Sequence, residues 1–368
     1  MSLKRIKPLL AVAFSLYISF FYNSTFAQET THHDATSSVA PGHEKEEKFD
    51  IATTILEHIR DDHSWHLWGH VSIPLPVILK TDKGFEFFSG ARLVDEHHEP
   101  AVYNGNYPYK TFEGKIKVVN ADGSINEEAT GKILDISITK NVASMLLTVL
   151  LLLIIFLNVA KAYKKTGVTS APKGFQSLIE PIILFVRDEV ARPLLGEKYT
   201  RFMPYLLTIF FFIWLNNLLG MVPFFPGGAN VSGNIAFTLT LALFTFVITT
   251  VNGKKHYWQH IFWMPGLPVP MKIFLIPIEI IGAFIKPISL TIRLFANMTA
   301  GHILALSLIG MIFILGSVSA SALAVPFSVF ISLIELLVGF IQAFIFAMLS
   351  ALYFGMALEE NHEEELVL

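Results

Sequence analysis

From residue 142 onward the chain is organised by long apolar runs broken by short polar links. Runs at 142–160, 202–223 and 234–251 each approach the length of a single span. A helix crossing a bilayer needs ~20 apolar residues, so each predicts one transmembrane helix. Two further runs, 271–315 and 323–358, are much longer. They predict helices that are tilted, bent or partly buried against a partner. Between the first two spans, residues 174–195 alternate apolar positions with Glu180, Arg187, Asp188, Glu189 and Arg192. That pattern predicts an amphipathic helix on the membrane surface or docked on a partner.

The part before residue 139 has a different pattern. Residues 1–27 begin with Lys4, Arg5 and Lys7, continue with a short apolar stretch, and end with Thr25 and Ala27. This is the form of a signal peptide cut after Ala27, with an uncleaved first transmembrane helix as the competing reading, for which the apolar run is short. Residues 28–138 are polar: 28–48 read as a flexible tail and 49–58 as a short helix. Strand-like pieces lie at 71–79, 85–88, 115–119 and 132–139. A small exported domain with some β structure is expected there.

Charge fixes the expected orientation. The link 161–201 holds eight Lys or Arg, and Lys254, Lys255 and Lys272 precede the fourth run, whereas 224–233 and 316–322 hold none. Basic links stay cytoplasmic. The N-terminal domain is therefore placed outside and the acidic tail, 359–368, inside, which agrees with the signal peptide. The expected fold is an all-α membrane domain at 139–360, with about five spans, a cytoplasmic amphipathic helix and a final hairpin of two long tilted helices.

Composition agrees. Hydrophobic residues make up 53% of the 368 positions and charged residues 15%, with mean hydropathy +0.54. Soluble chains carry roughly 25% charged residues. The absence of cysteine excludes disulfides, thiolate metal sites and cysteine nucleophiles. A net charge of −3 argues against a nucleic-acid binder. His58, His63, His66 and His70, with Asp61 and Asp62, invite a metal site. The interleaved Trp65 and Trp68 favour packing instead, and no metal or cofactor is expected.

Ionisable residues inside spans are costly and are functional candidates. The last two runs carry Lys272, Glu279, Lys286, Arg293, His302 and Glu335, joined by Asn297 and Gln342. Glu279, Lys286 and Arg293 recur every seven residues. On a helix that makes one stripe with steps of about 10 Å. His302 falls on roughly the opposite face, ~13 Å beyond Arg293. In antiparallel helices these offsets predict an outer tier of His302 with Glu335 and an inner tier of Arg293 with Gln342. A His–Glu pair passes protons. An arginine keeps its proton and acts as a fixed charge. Lys272 reads as a snorkelling residue at the membrane edge.

The run from Lys286 to Met298, Lys-Pro-Ile-Ser-Leu-Thr-Ile-Arg-Leu-Phe-Ala-Asn-Met, resembles the signature of subunit a of the F-type ATP synthase. Glu335 with the run from Gln342 to Phe346, and the run from Gly174 to Glu180, resemble the same family, and the likeness covers about residues 138–360. The resemblance implies a non-catalytic stator in a bacterial inner membrane. It would stand beside a rotating ring of c subunits, with b subunits of the peripheral stalk and the remaining synthase subunits as partners. It implies two offset half-channels, with Arg293 as the essential arginine facing the ring. His302 and Glu335 fall on the outer half-channel positions, with acid and histidine exchanged relative to some members. Asn297 and Gln342 match polar positions nearby. Glu279 matches an acidic position of the inner half-channel, and Lys286 a supporting one. The N-terminal extension lies outside the resemblance.

Two rivals remain on the sequence alone. A stand-alone proton-coupled transporter would usually carry internal repeats, and none is seen. An intramembrane metalloenzyme built on His302 and Glu335 lacks a third ligand and a His-Glu-x-x-His motif.

Overall fold

The computed structural model describes residues 60–68, 71–95, 100–167, 171–222, 225–264, 266–315 and 318–359. The expected signal peptide, the tail 28–48, the helix 49–58 and most of the acidic tail lie outside them.

The N-terminal region is a small β domain. Strands β1 (Ser64–Trp68) and β2 (Val71–Pro74) pair antiparallel. Strand β3 (Pro76–Thr81) pairs with β4 (Gly84–Ser89) and with the short β8 (Leu134–Asp135). Strands β5 (Tyr103–Asn104), β6 (Pro108–Phe112) and β7 (Lys115–Val118) form a third sheet. Alternation places Val77, Leu79 and Phe88 inward against Leu93, Tyr109, Ile116 and Val118. The run 71–79 is therefore two strands rather than one, because Leu75 interrupts the pairing between Pro74 and Pro76. Only Leu134–Asp135 of the run 132–139 is strand. The rest turns toward the first membrane helix.

That helix is α1 (Lys140–Thr166). Its N-terminus is capped by the β domain as well as by its own sequence. The Thr139 Oγ1 accepts from the Val142 N–H at 3.4 Å and donates to Asp61 at 2.9 Å. Asp61 also accepts the Asn141 N–H at 3.0 Å, and the Asp62 carbonyl accepts the Lys140 N–H at 2.8 Å. Donors that would otherwise be orphaned are thus satisfied by residues far upstream. Burial pushes the Asp61 carboxyl above its ordinary value despite these bonds. A second tie joins the Trp65 indole N–H to the Gly227 carbonyl at 3.0 Å, with Phe225 packed edge-on against the Trp65 ring.

Helix α2 (Phe175–Phe185) continues through a π-turn at Val186–Ala191 and a last turn at Arg192–Leu195. The amphipathic segment does not lie free. Val186, Val190, Ala191 and Leu195 belong to the main core, and Phe185 packs against Phe340 and Phe344. Its apolar face is broad enough to be buried by the last helix, and its charged face keeps Asp188 bridged to Arg187 and Arg192.

Helices α3 (Tyr199–Met221) and α4 (Ile235–Asn252) follow, then a short α5 (Lys255–Phe262). The long pair is α6 (Val269–Leu315) and α7 (Val318–Leu358), of 47 and 41 residues. At 1.5 Å per residue α6 is ~70 Å long, more than twice a hydrocarbon core of ~30 Å, so it cannot stand upright within one. The chain is a multi-pass membrane protein, and the described residues include five helices long and apolar enough to span. Helix α7 packs on α3 and α6, and α6 packs on α4. Glycine allows close approach: a Cβ on Gly355 would collide with the Leu194 carbonyl, and one on Gly339 would sit 3.2 Å from the Asn217 Cβ.

Buried polar bonds lock this bundle, as apolar helices in lipid require. Thr148 donates to Asn216 at 3.1 Å, joining α1 to α3. The Asn217 amide donates to the Gly339 carbonyl at 3.0 Å, joining α3 to α7, and accepts from Ser232. The Tyr205 hydroxyl meets Thr245 at 2.8 Å, and Thr245 meets Ser350 at 3.1 Å.

Candidate functional site

The predicted outer tier is present. His302 Nδ1 lies 2.8 Å from Glu335 Oε1, with side-chain exposures of 19% and 7%. Helices α6 and α7 run antiparallel as a hairpin, so residues on facing stripes meet at this level. Gly301 packs against Glu335, where a Cβ would make an ordinary van der Waals contact at 3.5 Å. A direct hydrogen bond within the protein lets a proton pass between imidazole and carboxylate without leaving the pair.

The predicted inner tier is not formed as a contact. Gln342 is buried on α7, and Arg293 is half-buried on α6. Among the described residues Arg293 has no hydrogen bond and no carboxylate within ion-pair distance. Asn297, one turn beyond Arg293, is exposed. Asn297 and part of Arg293 are therefore open at the surface of the helix bundle. A guanidinium in an apolar span without a counter-charge is costly.

Toward the other end of α6, Lys286 sits with its Nζ 5.6 Å from the Tyr353 ring centroid. It lines a narrow crevice with Thr245, Thr249, Tyr257 and Tyr353 that has room for about one water. Lys272 sits over the Trp263 ring at 4.9 Å. Glu279 faces a group that sequence reasoning passed over: His260 on α5, with Nδ1 3.8 Å from Glu279 Oε2. No periodicity relates the two, because they lie on different helices.

A second feature is also new. An open cleft of about 510 Å³ is bordered by Met221 of α3 and by Val325, Ser328, Ser332 and Leu336 of α7. The Ser328 hydroxyl is buried without a partner, while Ser332 donates to the Ser328 carbonyl at 3.0 Å. Ser328, Ser332 and Glu335 follow i, i+4, i+7 spacing, so they share one helical stripe that ends at the His–Glu pair. That spacing was legible in the sequence.

In the N-terminal β domain the histidine whose side chain is described is His63. His63 is buried with Nε2 3.5 Å from Asp135 Oδ2, and Trp65 packs on the loop at Phe225. Burial pushes the imidazole down, but the Asp135 carboxylate, with Asp62 and Asp61 behind it, lifts His63 above the ordinary histidine value. Among the described residues no group of three or more metal-capable side chains gathers. His58 and His70 lie outside the described residues.

Residues 142–355 match the family described as ATP synthase A chain, more than half of the chain. Residues 54–136 match a separate family described as a domain of unknown function (DUF8433). Among relatives, the ATP synthase subunit a of Chlorobium phaeobacteroides (strain DSM 266 / SMG 266 / 2430) is 49% identical over 236 residues, covering 62% of this chain and 67% of that protein. The protein of the same name from strain BS1 is 50% identical over 238 residues, covering 63% and 69%. That of Myxococcus xanthus (strain DK1622) is 44% identical over 238 residues, covering 63% and 76%. Sequence signature, helical hairpin and family match agree, and the chain belongs to the ATP synthase A chain family.

Proposed function

We propose that this chain is the stator channel subunit of an F0 sector, coupling proton flow across the membrane to rotation of a c ring. The observation that carries the reading is Arg293. It lies half-buried on an oblique helix, with no counter-charge among the described residues, so its carboxylate comes from another chain. A ring carboxylate passing that position supplies it. Because the guanidinium never releases its proton, it attracts the ionised carboxylate and blocks direct proton passage.

The two long helices form the wall facing the ring. With basic links inside, the β domain is periplasmic and the end of α7 cytoplasmic. Protons from the periplasm enter along the cleft with Ser328 and Ser332 and reach the His302–Glu335 pair. They load a ring carboxylate near Asn297 and leave toward Glu279 on the cytoplasmic side, with Lys286 alongside. Gln342 borders the ring-facing region, and the b subunits cover part of the remaining apolar surface. The chain itself makes and breaks no covalent bond. A stand-alone transporter would need an internal counter-charge for Arg293, and the described residues offer none.

The test is Arg293→Ala in the assembled synthase in membrane vesicles. ATP-driven proton pumping is expected to vanish while ATP hydrolysis remains, and passive proton leak is expected to rise. Unchanged pumping sinks the assignment.

A further inference from the structure

We propose that His260 is a proton-transfer residue at the cytoplasmic mouth of the inner half-channel, working with Glu279. The inference rests on the F0 reading above.

The pair exists because of how α5 is seated. The Lys254 N–H donates to the Ala357 carbonyl at 2.9 Å, which ties the start of α5 to the end of α7. Tyr257 and Ile261 then bury themselves on Ala357, with Ile280 of α6 packed against them. Ile261 adjoins His260 in sequence and Ile280 adjoins Glu279, so apolar packing brings the two polar neighbours side by side. His260 Nδ1 is 3.8 Å from Glu279 Oε2, with exposures of 51% and 33%. That separation is too long for a direct hydrogen bond and suits an ion pair or one bridging water.

A half-exposed pair at that distance contributes little to stability. Its chemistry suits transfer instead. Imidazole is the side chain whose unperturbed charge change falls nearest neutral pH. When the motor pumps, neutral His260 takes a proton from cytoplasmic water and becomes imidazolium. It then passes a proton to the Glu279 carboxylate and returns to neutral, and Glu279 relays the proton inward. In synthesis the steps reverse. The neighbouring titratable groups are Lys255, His256 and Tyr257 on α5, Lys272 and Lys286 on α6, and Tyr353 on α7. Lys272 rests on the Trp263 ring and Lys286 on the Tyr353 ring, and the Lys286 charge also acts on the Glu279 carboxylate. The molecule thus carries one His–Glu pair on each side of Arg293, a buried one facing the outer path and an open one facing the inner.

The test uses inverted vesicles holding the whole synthase, with the cytoplasmic face in the bath. ATP-driven acidification, normalised to ATP hydrolysis, is measured across about pH 6 to 8.5, bracketing the histidine range. His260→Gln is expected to slow pumping about tenfold, less than the roughly 10²-fold of an enclosed acid–base group because water replaces part of a half-exposed carrier, and to remove the histidine limb from the pH profile. Imidazole added to His260→Ala vesicles is expected to restore part of the rate, which a purely structural role would not allow. A His260→Gln rate and profile equal to wild type overturns the proposal. So does a slow His260→Ala that imidazole leaves unchanged with an unaltered profile. Arg293→Ala in parallel separates the two levels. Normal pumping there overturns the F0 reading itself, whereas lost pumping there beside wild-type behaviour at His260 overturns only the present inference.

Discussion

Helix α6 sets a histidine and a glutamate together at two levels, and the two pairs are built differently. His302 and Glu335 meet at 2.8 Å between two packed helices, with Glu335 only 7% exposed. His260 and Glu279 stand 3.8 Å apart with half of the imidazole in the open. Removing one partner from a buried pair leaves an uncompensated polar group, at a cost of about 3–5 kcal/mol. An exposed pair loses only ~0–1 kcal/mol. The packed pair is therefore expected to carry a structural load that the open pair does not. A third pair, in the N-terminal β domain, sets a buried His63 against an Asp135 carboxylate that is 36% exposed.

The largest effect expected from breaking this contrast is at the outer pair. Glu335→Ala or His302→Ala should cut ATP-driven pumping by roughly 10²-fold, in the range for loss of a positioned acid–base group. The double exchange His302→Glu with Glu335→His should recover a substantial part, because the hydrogen bond is restored with its ends reversed. A double exchange as inactive as the single variants would show that the bond itself is not what matters.

A smaller effect is expected at the strut that positions the outer pair. Asn217→Ala removes the bond to the Gly339 carbonyl, one turn from Glu335. A loss of about 1–3 kcal/mol in stability is expected, read as a lower melting temperature of the detergent-extracted complex. Pumping should fall without any change in the histidine limb assigned to His260. A melting temperature equal to wild type would remove Asn217 from this role.

The smallest effect concerns the third pair. His63 titrates higher when folded than unfolded, so its stabilisation is full below about pH 6.5 and fades as the pH rises through the raised value. Protease resistance of the exported domain in the intact complex should therefore decline from pH 6.5 upward. His63→Asn should flatten that slope and leave proton pumping as in wild type. A pumping defect in His63→Asn would place the exported domain in the transport path.

Much of this was legible beforehand. Seven-residue spacings aligned Glu279, Lys286 and Arg293, and antiparallel offsets paired His302 with Glu335, because helical periodicity converts sequence separation directly into a face and a height. The same logic did not bring Arg293 to Gln342, since a long guanidinium can point away from the neighbouring helix. The amphipathic segment was visible, but its burial under Phe340 and Phe344 was not, because a hydrophobic stripe does not name its partner. Strands β1, β5 and β6 went unseen because short strands lack a strong period.

The sequence alone determined the spans, the basic links, the Arg293 signature and the outer His–Glu pair. All of these follow from local composition or from periodicity along one helix or a tight hairpin. The tertiary structure decided what joins separate elements: His260 beside Glu279, Asn217 on Gly339, Asp61 capping α1, and Trp65 on the Gly227 loop. Those contacts depend on how helices and sheets dock. Docking is set by the summed packing of many apolar side chains, and no spacing in the chain records it.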